Sequence, residues 1–131
     1  MGLNSIRGRV VSGMGKGESF LQMPVYKEKI RELTGFEAFA GTLNLQISEN
    51  EYKHFSLALE KITVEEFESD GQTRGGFDLY KIRFPDSTSG AIIAPHQSTH
   101  LPNIIEIIAS FSLREKFNLN DNDLFEIKLG K

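Results

Sequence analysis

The chain has 131 residues, a net charge of −3 and no cysteine. This length fits one domain, and the lack of thiols excludes disulfides, thiolate metal sites and a cysteine nucleophile. The acidic balance argues against a dedicated nucleic-acid-binding protein, since such domains usually have a basic surface. No stretch approaches the roughly 20 apolar residues that span a bilayer, and the first residues lack the apolar core of a signal peptide. We therefore expect a single domain over residues 1–131 in the cytoplasm, with no membrane or nucleic-acid partner and an oligomeric state left open.

Strand-like segments dominate the chain. In chain order, strands are predicted at residues 6–12, 19–23, 41–47, 77–84, 91–94, 104–109 and 124–129. The mixed segment 55–68 leans to strand, and short helices are predicted at 25–34 and 113–117. Pro24 precedes the first helix and Gly35 stands at its end, where a left-handed residue is favoured. Strands at this spacing, without a repeating βαβ pattern, predict a mainly β fold closed into a small barrel.

A glycine-rich loop follows the first strand, with the pattern Gly13-x-Gly15-x-Gly17. Glycines let a backbone approach a phosphate closely and point successive N–H groups at it, and Lys16 would add a positive charge. The loop is not a Walker motif. A strand rather than a long helix is predicted after it, which argues against a dinucleotide-binding fingerprint. The alternative is a flexible hairpin loop without a ligand.

Thr42 and Asn44 are two residues apart on an alternating strand, so their side-chain oxygens are expected to share one face. Mg²⁺ is a hard cation that accepts neutral oxygens where phosphates and water complete its shell. The pair is therefore a candidate magnesium site. The alternative, an ordinary polar strand face, is favoured when the pattern is considered alone.

Glu106 stands alone inside the apolar run IIEIIA. A carboxylate in an apolar strand must be paired, face a cavity or change its protonation, because an isolated buried charge is costly. Glu106 is therefore the most informative single charge of the chain. The alternative is an acid that points outward from an edge strand.

The three histidines carry little chemical signal. No two of them have the spacing of metal ligands, and an isolated histidine is more often structural or exposed than catalytic. His100, which follows Thr99, is a candidate for a base or for stacking on a ring.

The segment Ser112-Leu113-Arg114-Glu115 has the pattern of a capping box at a helix start. The free N–H groups of such a helix start can bind an anion. The alternative is plain capping, with Arg114 in solvent. A nucleophilic serine has no support, because the chain has no GxSxG elbow.

Taken together, these segments resemble the archaeal CTP-dependent riboflavin kinase family. The matching segments run in the family's order from about Gly8 to Lys128, and only residues 50–80 lack a matching motif. They are VVSGMGKGESFLQMPVYKEKI, TGFEAFAGTLNLQI, GAIIAPHQSTH and IIEIIASFSLREKFNLNDNDLFEIKL. The pair formed by GTLNL and EIIA-x-x-x-LRE at this spacing is more specific than the glycine loop alone.

The resemblance implies a cradle-loop β-barrel that uses CTP and Mg²⁺ to phosphorylate the 5′-hydroxyl of riboflavin, giving FMN and CDP. Thr42 and Asn44 would bind Mg²⁺, while Thr99 and Glu106 would contact riboflavin or FMN. Glu106 would be the catalytic residue, either as a base or by orienting the hydroxyl. The residues implied to bind the nucleotide are Gly13, Met14, Gly15, Lys16, Gly17, Glu18, Ser112, Leu113, Arg114 and Glu115.

The sequence departs from the family pattern at three positions, none of them an implied ligand. Ala38 and Ser110 stand where the family usually has proline, and Asn122 replaces the glycine of a late Asp-Gly-Asp turn. Asn tolerates a left-handed backbone, so the last change is mild. Two other functions remain alternatives: a non-catalytic flavin- or nucleotide-binding barrel, and a swapped-hairpin DNA-binding barrel. The acidic balance argues against the second.

Overall fold

The computed structural model describes residues 4–12, 21–96 and 103–130. This part of the chain forms nine strands and three helices. In chain order they are β1 (Ser5–Val11), α1 (Pro24–Thr34), β2 (Leu43–Gln46), α2 (Glu49–Leu57), β3 (Lys61–Val64), β4 (Phe67–Ser69), β5 (Gln72–Arg74), β6 (Phe77–Arg83), β7 (Ser89–Pro95), β8 (Ile104–Ile108), α3 (Leu113–Lys116) and β9 (Leu124–Leu129). None of these three helices has the length and apolar character needed to cross a bilayer.

Six strands close into an antiparallel barrel in the order β6–β7–β8–β2–β1–β9. The barrel closes where Ile82 and Arg83 of β6 pair with Leu129 and Lys128 of β9. Strand β3 pairs with the other half of β6, and β4 and β5 form a separate hairpin. Closure leaves few free strand edges. The predicted mainly β fold, a small closed barrel, is confirmed.

Alternation along the strands produces two apolar clusters. The interior cluster fills the barrel with inward-facing side chains that include Leu45, Ile107 and Ile127. The outer cluster lies between helix α1 and the outer face of β6, β7 and β8, and includes Ile30 and Ile93. Because both faces of β8 meet an apolar cluster, a polar side chain on that strand is buried whichever way it points.

Helix α2 was not predicted, and the prediction of strand over 55–68 is wrong for its first residues. Ser48 caps the helix, since its hydroxyl accepts a hydrogen bond from the Glu51 N–H at 3.3 Å, and Phe55 is buried in the interior cluster. A serine followed three residues later by glutamate is a helix-start signal. The strand tendency holds for β3 and β4 only.

The short second strand predicted at 19–23 is also wrong in its described part. Residues 21–23 are helical or turn residues that lead into α1. Leu21 is buried in the outer cluster, and Pro24 occupies the first turn of α1. Proline fixes φ at a helical value, so the chain commits to the helix immediately after Met23. Both predicted helices are present, and Gly35 ends α1 with the expected left-handed φ of 83°.

Candidate active site

Asn44 and Glu106 lie directly opposite each other on β2 and β8. In the part of the chain that the structure describes, these are the two polar or charged residues in the buried class, with 3% and 0% exposure. Strand β8 lies between β7 and β2, so the alternative of an outward-facing acid on an edge strand is excluded. The neighbouring Ile105 and Ile107 belong to the interior cluster, which places Glu106 on the outer face of the barrel wall.

Thr42 completes a cluster with these two residues. Its hydroxyl donates a hydrogen bond to Glu106 Oε2 at 3.1 Å, and it precedes Asn44 by two residues on the same side of the chain. Strand register therefore brings together a hydroxyl, an amide and a carboxylate, although Thr42 and Glu106 are 64 residues apart in the sequence. We call Thr42, Asn44 and Glu106 the polar cluster.

The amide of Asn44 provides a test of the predicted metal site. Its Oδ1 atom is buried and has no hydrogen-bond partner among the described residues. Buried carbonyl oxygens are almost always paired, because an unpaired one costs the full desolvation penalty. An oxygen left in this state beside a carboxylate and a hydroxyl fits a hard cation such as Mg²⁺.

The polar cluster has few charges for a metal centre. Within residues 4–12, 21–96 and 103–130, no group of three or more His, Asp or Glu side chains could hold a metal ion. Mg²⁺ keeps several waters and is usually bound through one or two carboxylates together with substrate phosphates. The donor set therefore fits an ion that arrives with a phosphorylated ligand.

A pocket of about 160 Å³ adjoins the polar cluster at Thr42. Its lining residues are Phe39, Gly41, Thr42, Leu43, Ser112, Leu113 and Arg114. Ligand pockets for whole drug-sized molecules usually measure roughly 300–1,000 Å³, so this pocket has the size for part of a nucleotide. It connects the predicted metal ligand Thr42 with the predicted nucleotide-binding segment, and we call it the donor pocket.

The start of α3 has the predicted cap. The Ser112 hydroxyl accepts a hydrogen bond from the Glu115 N–H at 3.3 Å, and Leu113 is buried in the interior cluster. These contacts hold the backbone at the pocket wall. Arg114 is half-buried and lines the donor pocket, whereas Glu115 is exposed and does not appear in the lining. Of the four residues, Glu115 therefore has the least contact with the pocket.

Asp121 is a residue of this site that the sequence did not reveal. It accepts hydrogen bonds from Arg114 Nη2 at 2.7 Å and from the Ser12 hydroxyl at 3.0 Å. The Arg114 guanidinium and the Ser12 hydroxyl hold the pKa of the Asp121 carboxyl below its usual value. Ser12 directly precedes Gly13, so Asp121 joins the pocket arginine to the residue where the glycine loop begins. The sequence signal that could have pointed to Asp121 is the late turn around Asn122, which has a left-handed φ of 75°.

Seven predicted site residues lie outside the described part of the chain. They are Gly13, Met14, Gly15, Lys16, Gly17, Glu18 and Thr99. His100 lies outside it as well. Their implied roles in nucleotide and flavin binding stay predictions.

Comparison with known proteins gives a consistent result over nearly the whole chain. The model of the family CTP-dep_RFKase, described as Domain of unknown function DUF120, matches residues 10–129. A protein named riboflavin kinase from Saccharolobus solfataricus is 37% identical over 127 residues, which is 95% of this chain and 73% of that protein. A riboflavin kinase from Methanococcus aeolicus is 36% identical over 97% of this chain and 99% of the relative. For the riboflavin kinase of Pyrobaculum aerophilum the identity is 33%, and this chain spans 59% of its length.

Proposed function

We propose that this chain, which belongs to the CTP-dep_RFKase family, is a riboflavin kinase. It would transfer the terminal phosphate of CTP to the 5′-hydroxyl of riboflavin. The products would be FMN and CDP. Membership confirms the family resemblance of the motifs. The relatives' names support riboflavin as the acceptor, and the family's name supports CTP as the donor. We propose further that residues 1–131 act as one catalytic domain.

The observation that carries this proposal is the polar cluster, whose Thr42 also lines the donor pocket. Glu106 is fully buried, Thr42 contacts it, and Asn44 presents an unpaired oxygen beside it. Phosphoryl transfer depends mainly on positioning and on neutralising charge. A single buried carboxylate suits a hydroxyl acceptor, because it can receive or align the one proton that the hydroxyl must lose.

In the proposed reaction, a bond forms between the riboflavin 5′-oxygen and the terminal phosphorus of CTP. The bond from that phosphorus to the bridging oxygen breaks, and CDP leaves with the electron pair. The hydroxyl proton passes to Glu106, or passes to solvent while Glu106 orients the hydroxyl. The two roles of Glu106 predict different pH profiles.

The residues that would hold Mg²⁺ are Thr42 and Asn44, through a hydroxyl and an amide oxygen. A bound Mg²⁺ would offset the negative charge of the transferred phosphoryl group. Asn44 is buried, so its amide oxygen would contribute more strongly than it would at a surface. The glycine loop, residues 13–18, and the segment Ser112–Glu115 would bind the nucleotide from two sides.

The proposal is tested by incubating the protein with riboflavin, Mg²⁺ and one nucleoside triphosphate at a time. Mass spectrometry should detect FMN, and CDP should form in equal amount when CTP is the donor. A faster reaction with ATP would show that the protein is a riboflavin kinase whose preferred phosphate donor is ATP rather than CTP. If no nucleotide yields FMN while flavin still binds, the non-catalytic barrel becomes the better description.

Replacing Asp121 with asparagine should weaken nucleotide binding without altering the chemical step. Asparagine can still accept a hydrogen bond from Ser12, but Arg114 loses its charged partner at 2.7 Å. We expect the KM for CTP to rise by roughly two- to fivefold, the scale of an exposed ion pair, with kcat nearly unchanged. Steady-state kinetics at saturating riboflavin measures both constants.

Asp86 offers a matched control for this variant. It is also an exposed aspartate, and it pairs with Lys116 of the same helix at 3.0 Å. Lys116 does not line the donor pocket, so Asp86→Asn should leave the KM for CTP unchanged. Equal effects of the two variants would show that helix stability, rather than the placement of Arg114, determines nucleotide binding.

A further inference from the structure

Another cavity, of about 200 Å³, lies on the outer face of the barrel, between strand β6 and the end of helix α1. The residues that matter for its chemistry are Phe36, Lys81, Arg83 and Ser89. None of the described residues that line it is acidic, and none of them lines the donor pocket. We call this cavity the seam pocket, because β6 closes the barrel against β9 at this place.

Strand pairing gathers three cations at the seam pocket. Lys81 and Arg83 are two residues apart on β6, so their side chains share one face, and this is the outer face because Ile82 between them belongs to the interior cluster. Lys128 of β9 and Ser89 of β7 lie directly opposite Arg83. Directly opposite residues of an antiparallel pair lie on the same face. One row across the outer face therefore contains a hydroxyl, a guanidinium and an ammonium group.

The two facing cations have no acidic partner. Among the described residues, neither Arg83 nor Lys128 forms an ion pair. Arg83 Nη1 donates a hydrogen bond to the carbonyl of Ser87 at 2.8 Å, and Lys128 Nζ lies 3.5 Å from a backbone carbonyl. Asp86, in the turn that follows β6, pairs with Lys116 instead, at 3.0 Å. Like charges directly opposite each other destabilise a strand pair, so an anion bound between them would remove this repulsion.

Nearby acids cancel only part of this charge. Lys81 pairs with Glu60 at 3.4 Å, but both side chains are about half exposed, and such surface pairs contribute little. Glu126 lies two residues before Lys128 on the same face and accepts a hydrogen bond from the Ser5 hydroxyl at 3.1 Å. The seam pocket thus has a local excess of positive charge, although the whole chain has a net charge of −3.

A phosphate group matches these donors in charge, geometry and size. A guanidinium presents up to five N–H donors in a planar arrangement that suits phosphate, and an ammonium presents three. A phosphate monoester has a charge of about −1.5 to −2 at neutral pH, which more than one cation is needed to balance. The volume of about 200 Å³ is below the roughly 300–1,000 Å³ of sites for drug-sized ligands, so it suits a small anion or the phosphate end of a larger molecule.

The seam pocket is separate from the polar cluster. Glu106 lies opposite Ile93 of β7, which lies opposite Leu79 of β6. Arg83 is four residues further along β6 than Leu79, which is about 14 Å at ~3.4 Å per residue. A phosphate in the seam pocket would therefore not be the one transferred at Glu106.

We propose that the seam pocket is a second anion site, which binds a phosphate group through Lys81, Arg83 and Lys128 with the hydroxyl of Ser89. The ligand is inorganic phosphate or the phosphate of a monoester, since both present the same group. The inference goes beyond the proposed function, because it depends on neither CTP nor riboflavin.

The test measures binding of inorganic phosphate and of phenyl phosphate by calorimetry, at constant ionic strength and without Mg²⁺, riboflavin or nucleotide. Arg83→Met and Lys128→Met each keep an unbranched side chain and remove its charge. Each should raise the Kd for inorganic phosphate by roughly tenfold or more, the scale of a hydrogen bond to a charged group. Arg7→Met is the matched control. Arg7 is also an arginine of the outer face without an ion pair to a described residue, and it does not line the seam pocket, so the Kd should stay at the wild-type value.

The two probes identify the source of the phosphate group. If the monoester is the natural ligand, phenyl phosphate should bind more tightly than inorganic phosphate, because the ring of Phe36 also lines the pocket. Equal affinities would indicate the free ion. In either case Arg83→Met should weaken both probes, and the rate of FMN formation in this variant should match that of the wild-type protein.

Three results would overturn the inference: no phosphate binding by the wild-type protein, unchanged binding in both Arg83→Met and Lys128→Met, or an equal loss in Arg7→Met, which would show a response to net charge alone. The proposed function fails separately, if the wild-type protein forms no FMN while phosphate still binds in the seam pocket. Thermal unfolding shows whether each variant is folded. Removal of one of two facing like charges should not lower the melting temperature, and Lys128→Met provides the test if Arg83→Met does not fold.

Discussion

Replacement of Glu106 by glutamine is expected to reduce phosphoryl transfer to riboflavin by about 100-fold or more, the scale of a positioned acid–base group. Glutamine preserves the shape of the side chain and can still accept the hydrogen bond from Thr42, which measures 3.1 Å to Oε2. It removes the negative charge and the capacity to take a proton. Flavin binding should survive, because glutamine keeps the shape of the side chain and an oxygen that accepts a hydrogen bond. The measurement is single-turnover FMN formation with CTP across a pH series.

The pH profile distinguishes the two roles of Glu106. If Glu106 is the base, the rate falls and the shape of the pH profile changes with it. If Glu106 only orients the hydroxyl, the rate falls while the shape of the profile is kept. A variant with the wild-type rate and an unchanged profile would show that Glu106 is a structural acid. The control is Glu68→Gln, which removes a carboxylate that also accepts a hydrogen bond from a threonine, Thr73, but on the exposed β4–β5 hairpin.

Substitution of the two neutral oxygens, Thr42→Val and Asn44→Leu, is expected to abolish Mg²⁺-dependent turnover. Each change keeps the branching of the side chain and removes the oxygen. The loss should exceed the roughly 10–100-fold that removal of an outer-shell partner of a metal causes. Initial rates across a magnesium titration, at saturating CTP and riboflavin, measure the effect. Near-normal rates at high Mg²⁺ would show that the ion is held by other groups.

The Asn44→Leu variant has a second expected result, which concerns stability. Asn44 Oδ1 is buried without a hydrogen-bond partner among the described residues, and such an atom costs about 1–3 kcal/mol. In the absence of ligands, the variant should therefore unfold at the same temperature as the wild-type protein or at a higher one. Thermal unfolding by circular dichroism tests this. A large drop in melting temperature would mean that Asn44 stabilises the fold and would remove the argument for a ligand at its oxygen. For the companion variant Thr42→Val, Thr73→Val at an exposed threonine controls for the loss of a hydroxyl.

Taken together, the two sets of variants distinguish the role of the Glu106 charge from the coordination of Mg²⁺ by Thr42 and Asn44. Glu106→Gln should retain its response to magnesium, whereas Thr42→Val and Asn44→Leu should lose it. If all three lose it equally, Glu106 would be part of the metal site. If none does, the polar cluster is not where the ion binds, and the unpaired oxygen of Asn44 would need another partner.

Much of the fold was determined by local features of the sequence. Alternation at residues 41–47 and 124–129 identified strands, because successive side chains of a strand point to opposite faces. Proline and glycine at the ends of 25–34 marked a helix through their backbone preferences alone. The prediction for segment 55–68 was partly wrong, because its apolar and β-branched residues favour a strand. The cap formed by Ser48 and Glu51 instead favours a helix, and burial of Phe55 in the interior cluster stabilises it.

The candidate site residues also divide into those that the sequence indicated and those that the tertiary structure indicated. Glu106 was evident from the sequence, because a lone carboxylate in an apolar strand violates the usual pattern of burial. Thr42 and Asn44 were predicted to share a face, but that Asn44 lies opposite Glu106 depends on the pairing of β2 with β8, which no local pattern specifies.

Only the tertiary structure identified Asp121. Asp121 accepts hydrogen bonds from Arg114 and Ser12. The composition of its segment predicts a turn but does not predict these partners. The sequence thus determined most of the segments that form strands, and which charge is out of place, because those are properties of neighbours along the chain. Which residues meet across the barrel wall was decided by strand register and closure, because these depend on contacts between distant segments.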